Sequence, residues 1–226
     1  YTTSSGCILA PSVEAKQFGV KTGLQVREGK ALCPGLIVLP SDPDKYRQVH
    51  KRFRRLLSVY AENIDPKSID EFVIDLSDTP PCPPSTLEGG ITNIAKEIKR
   101  RVKEEIGDWL RISVGFGPNR FLAKTAAGLH KPDGLDTIDI NNYQEIFGQL
   151  ELTDLCGINT QNEIRLNGVG IYAVSEFATA SVQTLRSAFG SIAGYYWYMR
   201  LRGFEVDDVD FSRRSFGNSY ALPKPL

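Results

Sequence analysis

Apolar positions along the chain switch between two periods, and the switch sets the predicted elements. From Tyr46 to Tyr60 the residues Tyr46, Val49, Phe53, Leu56, Leu57 and Tyr60 recur at helical spacing, with basic residues on the remaining faces. Ile91, Ile94, Ala95, Ile98 and Val102 trace a second amphipathic helix. The turn Gly117-Pro118-Asn119 opens a third from Arg120 to Leu129. Leu110, Ile112, Val114 and Phe116 instead alternate with Arg111, Ser113, Gly115 and Gly117, the period of a strand. Ala61 to Asp65 and Ser68 to Leu76 read as two more strands around Pro66, followed by a loop containing Pro80, Pro81, Pro83 and Pro84. Earlier, residues 12–18 form a short helix ended by Gly19, Gln25 to Leu32 form another stopped by Cys33-Pro34-Gly35, and Leu36 to Leu39 form a short strand. Strand, strand, helix, strand, helix predicts an α+β layer with helices on one face of a sheet.

From about Ile140 the pattern changes to short helices separated by glycines, with no strand signal, which predicts a second, all-helical unit. Within it Leu155-Cys156-Gly157-Ile158-Asn159-Thr160 reads as a tight hairpin, and Thr160 with Glu163 fits a capping box at the start of the next helix. Such a hairpin either offers backbone N–H groups at a helix N-terminus to one phosphate or is a plain packing turn. The cluster Tyr195-Tyr196-Trp197-Tyr198 suits helical core packing more than base stacking. Beyond Gly203, the acids Glu205, Asp207, Asp208 and Asp210 lead into Ser212-Arg213-Arg214-Ser215-Phe216-Gly217, read as an exposed linker.

Composition narrows the function classes. With 226 residues, two or three small subdomains are expected, and 41% hydrophobic with 24% charged residues is ordinary globular composition. No run approaches the roughly 20 apolar residues that a bilayer requires, so the expectation is a soluble, cytoplasmic protein with no membrane partner. The chain opens on Tyr1 rather than methionine, which reads as a fragment. The four cysteines lie far apart, without the close pairs of structural zinc sites, and two histidines give little material for a triad. Chemistry must rest on carboxylates, lysines and backbone groups.

Charge balances at 27 basic against 27 acidic residues, but its distribution is uneven. Lys45, Arg47, Lys51, Arg52, Arg54 and Arg55 lie together with no acid among residues 45–55. Another basic excess spans 96–131. Patches like these attract phosphates or are simply solvated helix faces. The neighbouring carboxylates Asp70 and Glu71, opening an apolar strand, are the candidate metal ligands, the other reading being solvated charges at a strand end. Hard cations such as magnesium take oxygen ligands, often one or two carboxylates plus substrate phosphates. Neighbours in a regular strand point to opposite faces, so both acids reach one site only where the strand is bulged or twisted.

Taken in order, several segments resemble the Y-family DNA polymerases, the translesion enzymes of the polymerase IV kind. They are Glu14-Ala15-Lys16-Gln17-Phe18-Gly19-Val20-Lys21-Thr22-Gly23, Cys33-Pro34, Ser68-Ile69-Asp70-Glu71-Phe72, Gly115-Phe116-Gly117-Pro118-Asn119-Arg120-Phe121-Leu122-Ala123-Lys124, Lys131-Pro132-Asp133-Gly134 and the Gly157-Ile158 hairpin. The combination covers nearly the whole chain.

The resemblance implies a right-hand polymerase core: small fingers over 1–42, a catalytic palm over 43–138, a helical thumb with a helix-hairpin-helix unit over 139–206, and a linker over 207–226 toward a little-finger domain absent here. It also implies that the first palm strand, with a further metal-binding aspartate and the residue that excludes ribonucleotides, lies outside the chain. The implied activity is lesion-tolerant, template-directed transfer of a nucleotide from a dNTP to a primer 3′-hydroxyl, with two magnesium ions held by Asp70 and Glu71. Lys131 and Lys16 would bind the triphosphate. Gly157, Ile158 and Thr160 would hold the backbone of primer-template DNA through main-chain amides. A sliding clamp would be met through the missing C-terminal parts.

This sequence departs from the family pattern at Lys16, where an arginine is usual, at Val13 in place of tyrosine, at Ala10 in place of threonine, and at Asn159 in place of glycine. Weaker nucleotide binding is the expectation. The competing readings are a catalytically silent adaptor of a mutagenic repair complex and a non-catalytic DNA-binding module.

Overall fold

A computed structural model describes residues 6–76 and 90–207. The predicted proline loop at 80–84 and most of the predicted linker lie outside the described residues. The chain divides into two compact units, Tyr1–Ile74 and Asp75–Leu226.

In the first unit, α1 (Val13–Gln17) starts where the Ser12 side chain accepts a hydrogen bond from the Ala15 amide, and it stops at Gly19, whose φ of 82° suits glycine. α2 (Val26–Leu32) carries a reciprocal cap between Gln25 and Glu28. An antiparallel bridge between Cys7 and Gln25 ties the leading segment to this helix, and Ala15, Val20 and Val26 form the small core beneath. Leu36–Leu39, predicted as a strand, is irregular, with Ile37 82% and Leu39 81% exposed. Among the described residues no neighbouring strand pairs with it, and four apolar residues alone do not make a sheet.

α3 (Pro43–Leu57) has Asp42 as its cap and Pro43 in the first turn, where a missing N–H costs nothing. Its apolar stripe buries Leu56 and Leu57, while Lys45, Arg47, Lys51, Arg52, Arg54 and Arg55 are all exposed. It leads to a hairpin of β1 (Ile64–Pro66) and β2 (Phe72–Ile74), antiparallel with Asp65 opposite Val73. Both strands are shorter than their predicted spans, because residues 67–71 make the connection.

In the second unit α4 (Gly90–Arg101) runs into a π-helical turn at Val102–Ile106. β3 (Val114–Phe116) then pairs in parallel with β4 (Leu135–Thr137), and α5 (Arg120–Leu129) makes the crossover that a parallel pair requires. The predicted strand from Leu110 shrinks to β3. β4 was not predicted, since its three residues include an aspartate and show no apolar alternation. A Cβ on Gly115 would lie 2.1 Å from the Ala123 carbonyl oxygen, and one on Gly117 2.5 Å from the Ala123 amide nitrogen. The glycines of this motif therefore let the strand lie directly against α5.

The helical part follows as α6 (Tyr143–Gln149), a 3₁₀ turn at Leu152–Asp154, α7 (Thr160–Asn167), α8 (Val174–Thr179), α9 (Val182–Phe189) and α10 (Ala193–Arg200). One core runs from α5 through these helices and includes Phe121, Phe147, Leu166, Phe177, Leu185 and Trp197. Trp197 meets Phe121 edge-on at 5.3 Å and Phe177 at 5.4 Å, so the aromatic cluster serves packing there. Tyr195 and Tyr196 remain partly exposed.

Candidate active site

The β1–β2 connection places the candidate metal ligands. The Lys67 amide donates to the Glu71 carbonyl at 2.9 Å and the Ser68 amide to the same oxygen at 3.3 Å, closing a turn over residues 67–71. Asp70 therefore sits in a turn and Glu71 at its exit, not within a strand, and the strict alternation of strand side chains does not apply to them. The Ser68 hydroxyl donates to Asp70 Oδ1 at 2.5 Å. Asp70 is exposed and Glu71 half-buried.

The turn is fixed from α3. The His50 ring stacks on Phe72 at a centroid distance of 4.9 Å, and its Nδ1 lies 3.0 Å from the Ile69 carbonyl oxygen. A carbonyl only accepts, so Nδ1 carries the hydrogen. Among the described residues, no three His, Cys, Asp or Glu side chains come together as a metal set. The two adjacent carboxylates supply oxygen donors only, the type hard divalent cations take, and such cations retain waters and substrate oxygens in the remaining positions. The residues present fit one part of such a site.

Lys16 lies exposed on α1, beside the half-exposed Val13. Lys131 lies exposed in the second unit, on the loop that joins α5 to β4. That loop is held on several sides. Lys99 of α4 contacts Asp133 and Gly134, Lys103 lies 3.4 Å from Asp133 Oδ2, and the His130 ring donates to Asp136 at 2.7 Å. The Lys99 hydrogen bond holds the Asp133 carboxyl below the usual carboxylate range; burial opposes this, and the charge of Lys99 with a further contact from Lys103 adds to it.

At the hairpin, Gly157 has a φ of 94°, and a Cβ there would lie 3.3 Å from the Trp197 ring. Ile158 is buried and its amide already donates to the Leu155 carbonyl at 2.9 Å, so Ile158 anchors the turn and offers no amide to a phosphate. The cap of α7 is Asn159, whose side chain accepts from the Asn162 amide at 3.0 Å, in place of the predicted Thr160 box. Asn159 has a φ of −95°, which does not require glycine. The preceding segment is the 3₁₀ turn, not a full helix.

Two features escaped sequence reasoning. The grip of Lys99 on Asp133 joins positions 34 apart and left no local signal. Asn119 was part of the turn that opens α5, yet neither its cap nor its bonds to the Arg200 and Phe204 carbonyls were read from the sequence. Nearby, Glu205 accepts from the Arg120 amide at 3.0 Å and Asp207 from Arg200 Nε at 2.7 Å, so the start of the acidic run folds back onto helices.

A family model for the impB/mucB/samB family matches residues 1–128. The chain belongs to this family. Among relatives of the impB/mucB/samB chain, the DNA polymerase IV of Pelotomaculum thermopropionicum is 37% identical over 223 residues, covering 97% of this chain and 54% of the relative. The fold matches a Y-family DNA polymerase chimera of Dbh and Dpo4 with a TM-score of 0.77 at 26% identity, covering 94% of this chain and 60% of that one. An insertion ternary complex of Dbh DNA polymerase matches with a TM-score of 0.73 at 27% identity, over 89% and 57% of the two chains. These likenesses make the chain a Y-family polymerase relative. It spans about half the length of the curated relatives it matches. Among the described residues no helix is long and apolar enough to cross a membrane.

Proposed function

We propose that the protein carrying this chain is a DNA-directed DNA polymerase that copies past template lesions in DNA repair. The observation that carries this reading is the Asp70–Glu71 turn on the β1–β2 hairpin, in a chain whose family match spans that hairpin. In the reaction, the primer 3′-hydroxyl oxygen attacks the α-phosphorus of a dNTP. The hydroxyl proton is lost, the bond between the α-phosphorus and its bridging oxygen breaks, and pyrophosphate leaves.

Asp70 and Glu71 would hold divalent metal, magnesium being the cation that suits carboxylates combined with substrate phosphates; when bound, it supplies charge stabilisation at the transferring phosphoryl group. Ser68, hydrogen-bonded to Asp70, and His50, bonded to Ile69, orient the turn that presents the carboxylates. Lys131 and Lys16 would neutralise triphosphate oxygens, each as a compact ammonium rather than a bidentate fork. Gly157 and Thr160, both exposed, would set the backbone of primer-template DNA against the hairpin, with Ile158 as its buried anchor.

In this reading residues 1–42 act as fingers, 43–138 as palm, 139–206 as a helix-hairpin-helix thumb and 207–226 as the tether toward a further domain. Work on DNA would place the protein in the cytoplasm. The test is primer extension by the full-length protein with magnesium and dNTPs, beside Asp70→Ala. Template-dependent extension lost in the variant is expected. DNA binding without extension in the wild type would overturn the polymerase reading in favour of a silent adaptor.

A further inference from the structure

The Lys131 loop contains a charged group that the proposed reaction does not use. Asp133 sits two residues after Lys131 with a φ of 66°, a left-handed conformation that costs a non-glycine residue about 1 kcal/mol or more and persists only where its surroundings impose it. The surroundings are Lys99 and Lys103 of the helix beneath. The Lys99 side chain is only 15% exposed. Its ammonium donates to the Asp133 carbonyl and to the Gly134 carbonyl at 3.2 Å, and it stands 3.0 Å from Asp133 Oδ1 as an ion pair. Lys103 approaches the other carboxylate oxygen at 3.4 Å. Gly134 is pinned in turn, its amide donating to Ser113 Oγ at 3.2 Å and its carbonyl accepting from the Val114 amide at 3.0 Å. The loop is thus fixed to α4 and β3, while Lys131 projects exposed, with no ion pair among the described residues.

We propose that Asp133, gripped by Lys99 and Lys103, is the positioning residue that aims Lys131 at the nucleotide triphosphate. This deepens the reading of Lys131 given above and rests on it. Two physical effects act together. The grip removes the freedom a loop lysine would otherwise lose on binding, so its contact is pre-organised. It also neutralises a carboxylate that would otherwise stand close to the triphosphate and repel it.

The experiment is steady-state single-nucleotide insertion by the full-length protein with Lys131→Ala, Asp133→Gly, Asp133→Asn and the double variant Lys131→Ala/Asp133→Gly. Glycine keeps the backbone conformation and removes the carboxylate that Lys99 and Lys103 pair with, leaving Lys99 only the two main-chain carbonyls; asparagine tolerates the conformation and retains an acceptor. Asp133→Gly is expected to raise the KM for dNTP about tenfold with kcat within about twofold, Asp133→Asn to raise it less, and the double variant to be no worse than Lys131→Ala alone. A KM raised by Lys131→Ala but unmoved by Asp133→Gly and Asp133→Asn would overturn the inference alone, as would additive effects in the double variant. An unmoved KM in Lys131→Ala would overturn the nucleotide reading and the inference with it.

Discussion

The Asn119 side chain is buried and fully committed. Its Oδ1 accepts from the Leu122 amide at 2.8 Å, capping α5, and its Nδ2 donates to the Arg200 and Phe204 carbonyls, both at 2.9 Å. Alanine there removes a cap worth about 1 kcal/mol and leaves carbonyls without their donor at a further cost of about 1–3 kcal/mol. Asn119→Ala should therefore destabilise the chain by roughly 2–4 kcal/mol in urea unfolding. Asn119→Asp keeps the cap acceptor but sets a carboxylate oxygen against the Arg200 and Phe204 carbonyls, and should be no more stable than Asn119→Ala. Equal stability of all three would show that the carbonyls find water instead. Asp133 gives a pH dependence with a defined sign. Its folded-state carboxyl is held low, chiefly by Lys99. Its contribution is fully present above the ordinary aspartate value of about 4 and is lost as pH falls through the lower folded value. The stability gap between wild type and Asp133→Asn should thus be constant from neutral pH to about pH 5 and shrink in the acid limb. A gap that grows on acidification would contradict the ion pairs.

At the level of elements, α3 carries a row of like charge that is relieved at its start, where Arg47 pairs with Asp44 at 2.5 Å. Arg47, Lys51 and Arg55 stand four apart on its exposed side, and like charges at that spacing cost a helix a few tenths of a kcal/mol each. Lys51→Glu turns two repulsive spacings into attractive ones and should stabilise the chain by roughly 0.5–1 kcal/mol, read as a higher urea midpoint. No gain would mean that the arginine side chains already turn away from one another. The same helix shows what the sequence makes legible. Its stripe of Tyr46, Val49, Phe53, Leu56 and Leu57 recurs along the length of the helix, and α5, with Asn119 before it, is found at its predicted bounds. Strands of three residues carry too few alternations to fix their ends. Residues 68–71 therefore read as the start of a strand although the Lys67 and Ser68 amides, both bonded to the Glu71 carbonyl, fold them into a turn. The carboxylates, Lys16, Lys131 and the Gly157 turn were all visible as residue types in order. The supports beneath them were not, because Lys99 to Asp133 and Asn119 to Phe204 are contacts that only the tertiary fold creates.

For the molecule as a whole, the division into Tyr1–Ile74 and Asp75–Leu226 also divides the proposed labour. Asp70 and Glu71 belong to the first unit, Gly157 and Thr160 to the second. If duplex DNA is held through the hairpin amides while the chemistry depends on the carboxylates, the two functions separate by mutation. Asp70→Ala should lower extension by about a thousandfold or more, the scale of several kcal/mol of transition-state stabilisation, and leave primer-template affinity within about twofold. Gly157→Ala forces a side chain into a φ of 94° and to 3.3 Å from the Trp197 ring, which displaces the turn. It should weaken duplex binding about fivefold or more at every template sequence. The slope of affinity against salt should stay unchanged, because a backbone amide neutralises no phosphate and releases no counterion, unlike a lysine or arginine. Fluorescence anisotropy across a salt series, run beside extension at saturating DNA, reads both effects. Loss of DNA affinity in Asp70→Ala, or a shallower salt slope in Gly157→Ala, would mean that the units do not divide the task in this way, and that the hairpin meets DNA through its charged neighbours instead.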